Sequence, residues 1–346
     1  MKLSFQQLNL NLTRSWATAR GHTEVAKVVV VELVDGDRLI GRGEAAPISR
    51  YKESVNSVEV FLSQLDTRFL NANSIPDSMA YLESVAVGEM SAKCAVNLAL
   101  LDLAAQRAGK SVNQFLQLGF RERHHVTSFS IGLGDATVTR EKVLAAAAFP
   151  VLKLKLGGPH DRESWQAMRE VAPDKWVRAD ANEGWRTKEE ALKNIEWLAA
   201  DKFVQFVEQP LPAATPAHDW IWLKERSPLP IFADESHHSV QDTDLAAQCF
   251  HGVNIKLVKT GGVTGAHEAL AAARRAGLKT MLGCMIETSI LISAAAHLSE
   301  LCDYLDLDGN LLINNDPYAG ITAQNGILTF TNATEKLGLQ VAPRKE

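Results

Sequence analysis

Five charged residues close successive apolar runs in the middle of the chain, at spacings of 25, 28, 26 and 22 residues. Because an unpaired buried charge is costly, these groups need partners. Three neighbouring carboxylates repel one another unless they share a cation, and oxygen ligands suit Mg²⁺. The three acids therefore predict a Mg²⁺ site, and three unrelated carboxylates at loop starts are the alternative. The five residues are Lys155, Asp180, Glu208, Asp234 and Lys256.

The lysines predict acid and base chemistry at that metal. Lys153 and Lys155 are two residues apart, so both point to the same side of a strand. A neighbouring cation or burial lowers the pKa of a lysine, and Lys153 is placed to do this to Lys155. In an eight-stranded ring Lys256 would lie opposite, so a substrate would have one lysine on each face. Proton transfer from one face to the other would invert a carbon beside a carboxylate, through an enolate stabilised by the metal. A solvated lysine pair on an edge strand is the alternative, which the apolar neighbours disfavour.

Two further acids, Asp306 and Asp308, share one side of the last apolar run, YLDLDG. Two inward carboxylates need a cation, and a substrate ammonium group would supply it. A strand-end pair that caps a loop is the alternative. Ser130, in the first run, points into the same space and is a candidate substrate ligand, although packing explains it equally well.

Other polar residues are candidates for supporting the site. Asn182 shares the face of Asp180 and is predicted to support the metal from behind. Glu287 follows the seventh run, where it would orient Lys256, close the site or begin a helix. The segment from Lys259 to Gly265 lacks the spacing of a phosphate-binding P-loop and is interpreted as a tight turn.

The elements that must position these residues are eight short apolar runs between about residues 126 and 308. Amphipathic, Ala-rich stretches separate the runs, a pattern that favours a closed parallel barrel. Active sites of such barrels lie at the C-terminal ends of the strands, where the charges fall. No helical pattern follows the eighth run. The runs are VTSFSIGLG, VLKLKLGG, WVRADAN, FVQFVEQP, PIFADES, GVNIKLVK, KTMLGCM and YLDLDG.

The first 120 residues have a different texture, with strands followed by helices. Two apolar segments predict strands with a turn at Asp35-Gly36, and a long helical pattern from Glu89 to Leu116 has Gly109 near its end. This order indicates an α+β module. The tail segment ITAQNGILTF predicts a strand pair that returns to this module.

The composition excludes several classes of protein. The chain of 346 residues carries 36 basic and 41 acidic side chains, so no broad basic face indicates nucleic acid. No apolar run approaches the roughly 20 residues of a membrane span, and the N-terminus lacks a secretory pattern. Four scattered cysteines indicate neither a disulfide framework nor a zinc site. We expect a cytoplasmic enzyme, although a binding protein fits the composition equally well.

The motifs resemble the enolase superfamily, in its muconate-lactonizing subgroup, over nearly the whole chain. The resemblance implies an α/β fold in which an N-terminal α+β capping domain lies on a (β/α)7β TIM-like barrel. The predicted boundaries are 1–120 for the capping domain, with the tail from about 316 to 346 completing it, and 121–315 for the barrel. The motifs are RGEAAP, LALLDLAAQRAG, KLKLGG, DANEGW, VEQPLP, ADES, NIKLVKTGG, GCMIETS and the LGL near the end.

The same resemblance implies roles for the residues. Asp180, Glu208 and Asp234 would bind Mg²⁺, and Lys155 and Lys256 would be the acid/base pair. An Asp-x-Asp on the eighth strand is typical of dipeptide epimerases, where it binds the α-amino group of the dipeptide. The expected reaction is therefore inversion of the α-carbon of the C-terminal residue by 1,1-proton transfer.

The segments ATARGHTEVAKVVVVEL and APISRYKES are most similar to L-Ala-D/L-Glu epimerases, which implies a role in murein peptide metabolism. Arg20 would face the substrate side chain, since its fork suits a carboxylate. An exposed loop arginine is the alternative, with His22 or Lys27 in its place.

Several other functions stay open on the sequence. The alternatives within the subgroup are an N-acylamino acid racemase, a cycloisomerase, an o-succinylbenzoate synthase and a dipeptide epimerase of different side-chain specificity. A metal-free binding protein on a decayed barrel is a further alternative, which the intact acids and lysines disfavour. The expected partner is a small-molecule dipeptide, without nucleic acid or membrane, and the sequence leaves a homo-oligomer open.

Overall fold

The N-terminal region is an antiparallel sheet covered by helices, as the sequence predicts. The computed structural model describes residues 1–19, 21–36 and 39–345. The strands pair in the order β1-β2-β3, and the helices follow them in the chain. The elements are β1 (Lys2–Thr18), β2 (Gly21–Val34), β3 (Ile40–Ala45), α1 (Val55–Ser63), α2 (Ile75–Val85), α3 (Met90–Arg107) and α4 (Val112–Phe115).

Strand β2 carries four consecutive valines that are all buried, because both faces of this sheet are covered. Val29 and Val31 pack into an apolar cluster with α1 and α3, whereas Val28 and Val30 join the core that includes the barrel. Strand β3 touches α3 directly at Gly43, where an added Cβ would lie 1.8 Å from the carbonyl oxygen of Ala95. Only glycine permits this backbone contact.

The eight predicted apolar runs form eight parallel strands in sequence order. A parallel bridge between Thr127 and Leu305 joins the first strand to the last, so the sheet closes into a barrel. The N–H of Ser128 also donates to the Leu305 carbonyl, at 3.1 Å. The strands are β4 (Phe129–Ile131), β5 (Val151–Lys155), β6 (Trp176–Asp180), β7 (Val204–Glu208), β8 (Ile231–Ala233), β9 (Gly252–Lys256), β10 (Lys279–Gly283) and β11 (Tyr304–Asp306).

Helices follow the first seven barrel strands. After β11 the only helical element of the described chain is a short 3₁₀ turn at Gly309–Leu311, which agrees with the predicted (β/α)7β arrangement. None of the described helices combines the length and apolar composition needed to span a membrane. The helices are α5 (Ala136–Ala145), α6 (Asp161–Val171), α7 (Lys188–Ala199), α8 (Ala217–Arg226), α9 (Thr243–Cys249), α10 (Leu257–Thr260), α11 (Val263–Arg275) and α12 (Ser289–Ala296).

The tail contacts both parts of the molecule. Its predicted strand pair forms a hairpin at the N-terminal side of the barrel, where the Thr127 N–H donates to the Gly326 carbonyl at 2.8 Å. Further along, the Val112 N–H donates to the Gly338 carbonyl at 2.8 Å, which joins the tail to the N-terminal region. The boundaries at residues 120 and 316 remain a prediction. The tail strands are β12 (Tyr318–Ala319), β13 (Thr322–Gln324), β14 (Ile327–Thr329) and β15 (Ala342–Pro343).

Candidate active site

Three carboxylates meet at the C-terminal mouth of the barrel. Asp180 ends β6, Glu208 ends β7, and Asp234 comes one residue after β8. One oxygen from each lies within 4.8 Å of the other two, and all three side chains are buried. Burial and then the nearby Asp180 charge raise the pKa of Glu208 to about 8. The three acids therefore repel one another in a buried site.

One oxygen of each carboxylate is fixed from outside the group. The donors come from the next residues of the same loop or from β9 and the turn after it, so the three carboxylates are oriented before any ligand binds. The hydrogen bonds are Asn182 N to Asp180 Oδ1 at 2.9 Å, Asn254 Nδ2 to Glu208 Oε1 at 2.7 Å and Lys259 Nζ to Asp234 Oδ1 at 2.8 Å.

The two predicted acid/base lysines bond the remaining oxygens of two of these acids. Lys155 Nζ donates to Asp180 Oδ2 at 2.6 Å, and Lys256 Nζ donates to Asp234 Oδ2 at 2.8 Å. Their strands, β5 and β9, are four positions apart in the ring of eight. Burial disfavours the charged form of Lys256, yet Asp234 holds its pKa above the usual value. Both lysines line a cavity of about 620 Å³ at the barrel mouth.

Lys153 lies between the three carboxylates and the acids of the eighth strand. Its ammonium nitrogen is 3.1 Å from Asp180 Oδ2, 2.8 Å from Glu208 Oε2 and 2.7 Å from Asp306 Oδ2. The contact with Glu208 Oε2 is an ion pair without a hydrogen bond. Lys153 lines the cavity, but three carboxylates already surround its charge. Its predicted contact with substrate remains a prediction.

Asp306 and Asp308 have different surroundings although they point to the same side. Asp306 Oδ1 accepts a hydrogen bond from Ser128 Oγ at 2.6 Å, and despite burial the Lys153 charge holds the pKa of Asp306 below its usual value. Asp308 Oδ2 accepts the backbone N–H of Ser130 at 2.6 Å. Burial and then the Asp306 charge raise the pKa of Asp308 to about 7. The described chain therefore places a lysine ammonium against the first acid of the pair, whereas the donors to the second, Ser130 and Cys284, are uncharged.

The N-terminal region closes the cavity from above. Trp16, His22, Lys27 and the loop around Arg50 line its upper side. Arg50 binds Glu183 of the barrel with two hydrogen bonds, of 2.9 and 2.8 Å, and so ties this loop to the turn after β6. The candidate Arg20 lies outside the described residues.

Glu287 is buried just before α12, near Glu44 of β3. Its Oε2 accepts the Met285 N–H at 3.2 Å, and burial followed by the Glu44 charge raises its pKa well above the usual value. Glu44, from β3, accepts the backbone N–H of Thr288 at 2.9 Å and also its hydroxyl. Glu287 therefore lies where the N-terminal region is anchored to α12. Its three predicted roles stay predictions.

Three residues of the site escaped the sequence interpretation. Arg178 lies beneath the eighth-strand acids, where it donates to the Leu305 carbonyl and to Ser128 Oγ. Arg178 and Asn254 each precede an inward charge by two residues, so strand alternation could have found them. Lys259 could not be found in this way, because it lies in a turn beyond the end of β9.

The donor set fits a hard divalent cation. Asp180, Glu208 and Asp234 offer only oxygen, the donor that Mg²⁺ prefers. Glu208 Oε2 is buried and makes no hydrogen bond, although the Lys153 ammonium nitrogen lies 2.8 Å away, so this oxygen is a candidate metal ligand. Asn182 supports Asp180 through its backbone N–H rather than its side chain.

The barrel, its covering N-terminal sheet and the acid and lysine arrangement define an enolase-like fold. Residues 137–313 match the family model described as Enolase C-terminal domain-like. Residues 6–117 match Mandelate racemase / muconate lactonizing enzyme, N-terminal domain. The chain belongs to this family, which confirms the resemblance drawn from its motifs.

Individual relatives cover the chain almost completely. An L-Ala-D/L-amino acid epimerase from Pedosphaera parvula is 57% identical over 99% of both chains. The substrate-liganded L-Ala-D/L-Glu epimerase from Bacillus subtilis has a TM-score of 0.93 at 26% identity, covering 100% of this chain and 99% of that one. The dipeptide epimerase from Enterococcus faecalis, complexed with Mg and L-Leu-L-Tyr, has a TM-score of 0.89 at 27% identity over 99% of both chains. These names support an isomerase that acts on amino acid derivatives.

Proposed function

We propose that the protein is a Mg²⁺-dependent dipeptide epimerase that inverts the α-carbon of the C-terminal residue. The main observation in support is that Lys155 and Lys256 lie on opposite strands of the barrel. Each donates a hydrogen bond to a different member of the carboxylate triad. L-Ala-L-Glu is the favoured substrate, and we place the reaction in murein peptide metabolism in the cytoplasm. The names of the relatives support the reaction class.

The proposed mechanism moves one proton onto each face of the substrate in turn. Mg²⁺, held by Asp180, Glu208 and Asp234, would stabilise the negative charge that develops on the substrate carboxylate. A neutral lysine on one face takes the α-proton, and the electron pair of the broken C–H bond moves toward the carboxylate. The ammonium of the opposite lysine then gives its proton to the other face. The carbon is inverted, and the two lysines exchange protonation states.

The ends of the cavity differ in charge, which supports a zwitterionic substrate with an acidic second residue. Asp306 and Asp308 line one side, and Lys27 lines the side formed by the N-terminal region, where Arg50 is already paired with Glu183. The substrate ammonium would lie at Asp308, and the basic side would favour glutamate. Arg20 remains the predicted direct partner of that side chain. The name of the relative at 57% identity supports a wider range of second residues.

Proton exchange in D₂O tests the two-lysine scheme. We expect the wild-type protein to place one deuteron on the α-carbon of each product of L-Ala-L-Glu or L-Ala-D-Glu. K155A and K256A should each lose epimerisation by roughly a thousandfold, within the usual effect of a general acid or base. Each variant should still exchange the α-proton of the one epimer that faces its remaining lysine. K279A is the control, since Lys279 lies at the opposite end of the barrel beside Asp303. Wild-type epimerisation in both active-site variants would refute the scheme.

A second candidate is racemisation of an N-acylamino acid, which has no ammonium group. The pairing of Asp306 with Lys153 favours this candidate, because the protein itself then neutralises one of the two acids of the eighth strand. Less positive charge is then needed from the substrate. The ratio of kcat/KM for L-Ala-L-Glu to that for N-acetyl-L-Glu separates the two. A ratio above one supports the dipeptide, and a ratio well below one supports the racemase.

A further inference from the structure

Lys259 is a fourth lysine of the barrel mouth, and it never faces the cavity. It lies in α10, the single turn that follows β9, and only 3% of its surface is exposed. Its ammonium group makes three hydrogen bonds, so every N–H donor has a partner. The acceptors are Asp234 O at 2.7 Å, Asp234 Oδ1 at 2.8 Å and Asn254 O at 2.8 Å.

The turn that carries Lys259 is fixed by the N-terminal region. Gly261 and Gly262 follow it with φ angles of 75° and 113°, which only glycine adopts easily. A Cβ on Gly262 would lie 2.4 Å from Oδ1 of Asn97 in α3. The Asn97 amide also donates to Thr264 Oγ1 at 2.7 Å. Lys259 is therefore held both at its ammonium group and at its backbone.

This arrangement fixes Oδ1 of Asp234 from outside the triad and leaves Oδ2 as the oxygen that faces the metal site. Its Oδ1 is bound by Lys259, so turning the carboxylate to present both oxygens would leave a buried ammonium donor without a partner. Its Oδ2 faces the triad and is 2.8 Å from Lys256 Nζ. We infer that Lys259 is a positioning residue that confines Asp234 to single-oxygen coordination and so favours Mg²⁺ over Ca²⁺. The inference rests on the proposed Mg²⁺ site.

The preference follows from the size of the two ions. Mg²⁺ requires nearly ideal octahedral geometry with metal–oxygen distances of about 2.0–2.1 Å, and a bidentate carboxylate distorts this geometry. Ca²⁺ accepts six to eight oxygens at roughly 2.3–2.6 Å and often takes both oxygens of one carboxylate. A carboxylate that can offer only one oxygen therefore disfavours Ca²⁺ binding. A carboxylate that is free to offer both oxygens does not.

Calorimetric titration of the metal-free, full-length protein with Mg²⁺ or Ca²⁺ alone tests the inference without an activity assay. K259M keeps most of the side-chain volume but removes the ammonium group. We expect the ratio of the Ca²⁺ Kd to the Mg²⁺ Kd to fall by about tenfold, a size that one hydrogen bond to a charged group explains. K259Q replaces the ammonium group with a neutral amide, which can still donate to Asp234, and should shift the ratio in the same direction by less. If K259M does not fold, the K259Q variant alone provides the test.

K224M is the matched control. Lys224 also donates to a backbone carbonyl, that of Ala247 at 2.7 Å, but it lies in the outer ring of helices. Its variant should keep the wild-type ratio. An unchanged or increased ratio in the folded Lys259 variants would overturn the inference while the Mg²⁺ site stands. A wild-type protein that binds neither ion would instead remove the metal from the proposed function, and the inference with it.

Discussion

The carboxylate triad and the acid Asp308 are both buried at the barrel mouth, but the chain supplies them with different partners. Lysine nitrogens lie 2.6 to 2.8 Å from oxygens of Asp180, Glu208 and Asp234. Asp308 receives the backbone N–H of Ser130, and Cys284 Sγ lies 3.8 Å from its Oδ1. Lysines of the protein itself balance the negative charge of the triad, and a metal would have to compete with them for the carboxylate oxygens. The second region is suited to a cation brought by the substrate.

The largest expected effect comes from removing one acid of the triad. E208Q should lower kcat/KM by roughly a thousandfold, since metal stabilisation of developing charge is worth several kcal/mol. The Mg²⁺-dependent rise in Tm should disappear, because a bound ion stabilises only the folded state. The Tm without metal should change little, because burial and Asp180 already raise the pKa of Glu208 to about 8 and favour its neutral form.

The exposed Glu225 provides the control for this variant. E225Q should keep both the activity and the Mg²⁺ response. A full Mg²⁺ response in E208Q would place the metal elsewhere and remove the contrast between the two regions.

The next effect separates Asp308 from the triad. D308N should lower kcat/KM for L-Ala-L-Glu by about a hundredfold, since a buried charge pair loses one partner. It should leave kcat/KM for N-acetyl-L-Glu nearly unchanged, and the Mg²⁺ response should persist. D303N, on the residue just before β11 at its opposite end, is the matched control and should affect neither substrate. Equal losses on both substrates would mean that Asp308 does not bind an ammonium group.

The smallest effect is a pH dependence. The pKa of Asp308 is raised to about 7, and only its ionised form attracts an ammonium group. Below this value the acid gains a proton, so kcat/KM for the dipeptide should fall by about tenfold for each pH unit. The fall should be absent for N-acetyl-L-Glu and in D308N. The same acid limb with both substrates would assign the titration to the triad or the lysines instead.

The sequence predicts the barrel well because the strand period is simple. An inward charge at the end of an apolar run marks a position at the mouth, and the structure places Asp180, Glu208 and Asp234 within reach of one another there. What lies beside each charge depends on the register of neighbouring strands. For this reason the sequence does not predict the position of Lys153 among three carboxylates.

Residues beyond the strands are harder to predict. Lys259 returns to Asp234 through a turn whose shape depends on contact with α3, more than 150 residues away in sequence. The contact between Arg50 and Glu183 likewise joins two loops that no local pattern relates. The strand ends could therefore be predicted, but the residues that orient them could not.

Strand β2 has a consequence for protein engineering. Val28 and Val30 contribute to the core that includes the barrel, and Val29 and Val31 contribute to the core of the N-terminal region. Alternate side chains of one strand thus belong to two hydrophobic cores. A chimera that exchanges the first 120 residues between relatives must match this strand on both faces at once, so substrate preference is more safely transferred by grafting single loops than by exchanging the whole region.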